Sequence, residues 1–192
     1  MEENNSLMTK DDTLPKLADL YKDDMLTGAI KDNKLLILVN SAPPSVWIAE
    51  HPVSKTPYIP IGRIEFMLTK IFGKWWVEIK DTKLIANSVV VTVRLFYVNP
   101  ITGDAEWQDG IGAQPLQTEK GAGATDFNAI KSNAVSLAAP SAESYAIKDA
   151  AEKIGKIFGK DISRKETVEY EKALLTNIAN IQERADKAIG ND

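Results

Sequence analysis

The groups best placed to do chemistry in this chain are cations: Arg63, Lys74, Lys80 and Lys83 in one stretch, and Lys148, Lys153 and Lys156 in another. Fixed positive charges of this kind hold phosphates or carboxylates through charge-assisted contacts. Trp75, Trp76 and Trp107 lie near the first group, where an indole either packs into a core or stacks on a flat ligand. The charge is strongly segmented. Residues 55–94 carry Lys55, Arg63, Lys70, Lys74, Lys80, Lys83 and Arg94 against Glu65, Glu78 and Asp81, and residues 148–165 carry six cations against three acids. The flanking segments are acidic, so the formal net charge is −4. Solvated helix faces and strand edges are the plain alternative reading of such blocks.

Other chemistries are poorly supplied. There is no cysteine, which removes disulfides, thiolate metal sites and cysteine nucleophiles, and the single His51 has no histidine partner for a metal. Gly155-Lys156-Ile157-Phe158-Gly159-Lys160-Asp161 falls one residue short of a phosphate loop, lacks its Ser or Thr, and ends a helix instead of opening one. Gly121-Ala122-Gly123 lacks the third glycine of a dinucleotide fingerprint. Asp104, Glu106 and Asp109 read as solvated acids on strand and turn positions. We therefore expect no enzyme, cofactor or metal. The polar start, Met1 to Ser6, and the lack of a long apolar run predict a soluble protein of a reducing cytoplasm without membrane association.

The elements that must position the cations follow from periodicity. Leu14, Leu17, Leu20 and Tyr21 have the spacing of a short helix that ends at Gly28. Lys34 to Val39 is a compact apolar run, read as a buried strand in preference to a short helix. Ile64, Met67, Leu68, Ile71 and Phe72 predict a helix capped by Gly73. A strand over 75–80, a turn at Asp81-Thr82-Lys83, a β-branched strand over 88–98 and a third strand over 106–113 form an antiparallel meander. On the middle strand Val89, Val91, Val93 and Leu95 face one way and Thr92, Arg94 and Phe96 the other.

Residues 114–127 read as a loop and 128–138 as weakly helical. Pro140 and Ser141 open a helix from Glu143 to Phe158 whose apolar positions are Tyr145, Ile147, Ala151, Ile154 and Phe158. An amphipathic helix over 166–189 docks on the core or on a neighbouring subunit. The fold class is thus α+β, an antiparallel three-stranded β-meander packed on helices, with an acidic segment over 1–27, a core domain over 28–165 and a C-terminal helix over 166–192.

Several of these pieces occur in a specific order. Tyr58-Ile59-Pro60-Ile61-Gly62-Arg63 leads into a helix ending Ile71-Phe72-Gly73; the Trp75-Trp76 strand starts a meander closing in Asp109-Gly110-Ile111-Gly112; the helix Ala146-Ile147-Lys148-Asp149-Ala150-Ala151-Glu152-Lys153-Ile154-Gly155 follows. Over roughly residues 55–165 this order resembles the annealing domain of the Rad fifty-two family of recombination proteins, including its short bacteriophage members. The resemblance implies a β-β-β-α core that assembles into rings or helical filaments, with single-stranded DNA in an outer basic groove. Arg63 matches the family's arginine at the helix start and Lys148 its groove-lining lysine, both phosphate contacts in that family. Asp149 departs from the pattern, which commonly has a second basic residue there; Lys153 or Lys156 would have to replace that contact.

The resemblance implies an ATP-independent, phage-encoded protein acting in the bacterial cytoplasm, which binds single strands and anneals them in recombination and repair. Lys74, Lys80, Lys83, Lys153 and Lys156 join Arg63 and Lys148 as expected DNA contacts. The partners it implies are single-stranded DNA, further copies of the chain, and a phage exonuclease or host single-strand binding protein. An annealing protein must hold phosphates and leave base edges free, which dispersed cations accomplish. The alternative is a structural or protein-interaction module whose basic blocks are subunit contacts, an alternative the acidic total favours.

Overall fold

A computed structural model describes residues 23–52, 54–123, 125–164 and 170–189. Its elements are α1 (Asp23–Val39), β1 (Ala49–Glu50), β2 (Pro57–Tyr58), α2 (Ile61–Phe72), β3 (Trp75–Ile85), β4 (Ser88–Val98), β5 (Ala105–Pro115), α3 (Ala134–Ile154) and α4 (Tyr170–Ile189). β1 and β2 form a two-stranded hairpin, while β3, β4 and β5 form an antiparallel sheet in sequence order. The class is α+β, with the meander packed on helices as expected.

The middle strand organises the core. Alternation along β4 puts Val89, Val91, Val93, Leu95 and Tyr97 on one face, all buried. From α2, Ile64, Met67, Leu68 and Phe72 are buried at helical spacing, each worth about 1.5–3 kcal/mol relative to exposure. Gly73 ends that helix at φ 70°, a left-handed conformation that a side chain would strain. Phe72 meets Tyr97 at 4.5 Å between ring centroids and lies parallel to Phe158 at 6.3 Å.

α3 lies across β4 and β5 and does so through small residues. Ala134, Ala138, Ala142, Ala146 and Ala150 form a buried stripe, and the β5 residues facing it are Gly110 and Gly112. A Cβ on Gly110 would overlap the carbonyl oxygen of Ala146 and the amide of Ala150; one on Gly112 would overlap the carbonyl oxygen of Ala142 and the amide of Ala146. The Gly-x-Gly at the end of the meander is therefore the place where helix backbone meets strand backbone.

Five expectations are corrected. Gly28 does not end a helix, and Lys34–Val39 is not a strand: both lie within α1, in which Leu36 and Leu38 are each 46% exposed while Val39 is buried. A short apolar run fits either period, and here it ends α1, with Val39 close beside Gly155. Asp81-Thr82-Lys83 is not a turn; β3 continues through it with a bulge between Ile79 and Asp81, and the reversal comes at Ala86, φ 51°. Pro140 lies inside α3, which starts at Ala134 and stops at Ile154, with Lys156–Phe158 a separate 3-10 turn. Tyr145 is not a core position: it is 44% exposed, because the buried stripe follows the alanines.

The expected helix over 14–22 lies outside the described residues, as do 166–169 of the C-terminal helix. α4 packs on α1 of the same chain, with Ala185 fully buried.

Candidate functional site

Five cations of the two basic blocks are paired with carboxylates. Lys80 lies 3.7 Å from Glu78, Lys83 is paired with Asp81, and Arg94 makes a two-pronged pair with Asp109 at 2.7 and 2.8 Å. Lys153 donates to the carbonyl of Asp109 at 2.6 Å and to Asp149 at 2.9 Å, while Arg164 Nη1 sits 2.9 Å from Asp161 Oδ1. Arg63 donates from Nη1 to the Val46 carbonyl at 2.8 Å, tying the start of α2 to the Ser45–Trp47 turn.

Lys148 is different. Its ammonium sits 4.6 Å from the centre of the Tyr58 ring and 5.5 Å from that of Tyr145, with no hydrogen bond or ion pair among the described residues. Ring faces attract a cation but do not replace a counter-ion. Burial lowers its pKa from the ordinary lysine value, and the charge of Glu152 offsets only part of that effect. An ammonium taken partly out of water, with Glu152 near but not in ion-pair contact, favours an incoming anion.

The surroundings form a cavity of about 330 Å³ walled by Tyr145 and Lys148 from α3 and by Pro57, Tyr58 and His51 from the β1–β2 hairpin. The hairpin is fixed by His51 N–H donating to the Thr56 carbonyl at 2.9 Å and Ser54 N–H donating to His51 Nδ1 at 3.2 Å. Beyond Pro57 and Tyr58, which line both, lies a second, polar cavity with Glu152, Lys153, Lys160 and Arg164 in its wall. Burial raises the Glu152 pKa above the ordinary glutamate value, with Lys148 opposing the shift and Asp149 adding to it.

Asp149, where a second cation was expected, has a structural task. Its Oδ2 accepts from the Ile111 amide at 3.1 Å and from Lys153, so together the two side chains cover the outer edge of β5. Lys153 is therefore committed to the sheet edge. Lys156 lies on the turn after α3. Lys74 immediately precedes β3 and is exposed, and Lys80 and Lys83 lie along that strand; neither they nor Arg63 line the Lys148 cavity. Tyr145 does line it, although by type it falls among the apolar positions of the helix; its one signal in the sequence is its position three residues before Lys148.

The outward sheet face forms a second surface. Trp76 and Phe96 stack at 4.9 Å and 4°, Trp107 pairs with Phe96 across the next ladder, and the Arg94 guanidinium lies 3.8 Å over the Trp107 ring. Trp76 is 37% and Trp107 48% exposed, whereas Trp75 packs against the core and donates to Thr69 Oγ1 at 3.0 Å.

Among the described residues no group of three or more acidic or histidine side chains is placed to hold a metal, and no helix is long and apolar enough to cross a membrane. Comparison with protein-family models and with curated proteins finds no match.

Proposed function

We propose that the protein binds single-stranded DNA through the Lys148 cavity and anneals complementary strands without ATP, as the resemblance to the Rad fifty-two family implies. The observation that carries this reading is the half-buried Lys148 ammonium, held between two tyrosine rings and lining a cavity, with no carboxylate in ion-pair contact among the described residues. A phosphate supplies that anion. Lys74 and Arg63 would contact DNA outside the cavity, and the paired Lys80, Lys83 and Lys153 would contribute only by exchanging a carboxylate for a phosphate. Binding of this kind releases counter-ions, with an expected log–log salt slope of about −0.7 per phosphate neutralised. Gel shifts of a labelled oligonucleotide across a salt series test it: equal binding between about 50 and 300 mM salt contradicts the proposal.

The proposed protein assembles with further copies of itself through the outward sheet face. Trp76, Phe96, Trp107 and Ile111 expose apolar area there, and the charged groups beside them are already paired, which suits a protein partner better than a phosphate chain. Trp107→Glu is expected to shift light scattering towards the monomer; an unchanged assembly removes the face from the interface. The same pairing of charges supports the second reading, an assembly module that does not bind DNA, and the salt series separates the two.

Binding is expected to depend on pH through two groups in the adjoining cavities. Lys148 must be charged to hold phosphate, so affinity falls as pH rises through its depressed pKa, below the ordinary lysine range. Stability moves the other way, because the unfolded chain binds that proton more tightly and loses this advantage as pH rises. Glu152 has a raised pKa, so its proton stabilises the fold on the acid side, and its charge opposes phosphate as pH rises through that value. Lys148→Arg should remove the loss that follows deprotonation of Lys148, and Glu152→Gln the loss that follows ionisation of Glu152; titrations that keep the wild-type shape in both variants contradict this assignment.

A further inference from the structure

Tyr145 is a large aromatic side chain left 44% exposed on a helix whose other face is packed almost to backbone contact. It stands three residues from Lys148, so both project from one side of α3, over the hairpin residue Tyr58. The ammonium lies nearer Tyr58, at 4.6 Å, than Tyr145, at 5.5 Å, which leaves the Tyr145 ring the less engaged of the two. The far wall is aromatic as well: His51 meets Tyr58 edge-on at 6.4 Å and 64°. About 330 Å³ of space between these walls suits a small planar group.

We propose that Tyr145 stacks one unpaired nucleobase in this cavity while Lys148 holds the neighbouring phosphate, so that the site selects single strands by their bases as well as their charge. This rests on the nucleic-acid reading above. Every base has a π-face, so stacking is tolerant of sequence and uses no hydrogen-bonding edge. A base inside a duplex is stacked and paired, and entering the cavity would cost its unstacking. Duplex DNA, with the same phosphates, should therefore bind more weakly.

Fluorescence anisotropy with a labelled oligodeoxythymidine and with an abasic strand of equal length tests the proposal. The wild type should bind the abasic strand about tenfold more weakly, Tyr145→Ala should lose about tenfold on the thymidine strand and stop distinguishing the two, and Tyr145→Phe should behave as wild type. Circular dichroism checks that the variants fold, which the exposure of Tyr145 favours. Equal wild-type affinity for both strands, or Tyr145→Ala binding thymidine as the wild type does, overturns base stacking and leaves phosphate binding standing. Failure of the wild type to bind either strand overturns both.

Discussion

Gly112→Ala is expected to unfold the protein or to cost about 3 kcal/mol or more in urea denaturation. The added methyl has no free space: it meets the Ala142 carbonyl oxygen and the Ala146 amide, which belong to backbone and do not rotate aside. Relief requires α3 to lift from β5, and that would uncover Ala138, Ala142, Ala146 and Ala150 together with the buried face of β4. Gly110→Ala meets Ala146 and Ala150 in the same way and should fall in the same range, whereas Gly123→Ala, with nothing within 4 Å of its added carbon, should change stability by well under 1 kcal/mol. Near-wild-type midpoints for the Gly110 and Gly112 variants would contradict the close helix–strand approach. Because α3 carries Lys148 and Tyr145, these variants should lose binding in step with folding.

Lys148→Ala is expected to weaken single-strand binding by about 1–2 kcal/mol per protomer, the scale of a hydrogen bond to a charged group, and to reduce the salt slope by about 0.7. Folding should suffer little, since the ammonium is half-buried and lowering of its pKa marks a charge the fold holds at a cost. Many protomers on one strand multiply the loss, so annealing should fall further than binding by a single protomer. Lys83→Ala is the matched control: Lys83 is exposed, paired with Asp81 and on β3, outside the cavity. A Lys83 variant as defective as the Lys148 variant would place the nucleic acid on the meander.

The meander was legible because β-branched residues alternate along 88–98, and alternation in a half-buried strand has one solution for which face is inside. Helix α2 was legible from its apolar spacing and Gly73. Lys34–Val39 was not, since its five consecutive apolar residues fit either period, and in the fold they end a helix. Nor was the phase of α3: its large apolar residues suggested one stripe, but with glycines opposite, the alanines face the sheet and Tyr145 turns outward. Lys148 was singled out by resemblance; its special state depends on Tyr58, distant in sequence, which spacing does not encode. Arg63 was singled out beside it, yet its guanidinium is directed to the Val46 carbonyl, a tertiary contact with no local signal.

The most direct measurement is the rate at which Lys148→Glu anneals complementary oligonucleotides, compared with wild type at matched assembly size and with folding verified by circular dichroism. Reversal of the charge in the cavity is expected to slow annealing by at least about tenfold, in keeping with the loss of one charge-assisted contact per protomer and added repulsion. A folded, assembled Lys148→Glu variant that anneals at the wild-type rate would contradict the assignment of DNA binding to this cavity.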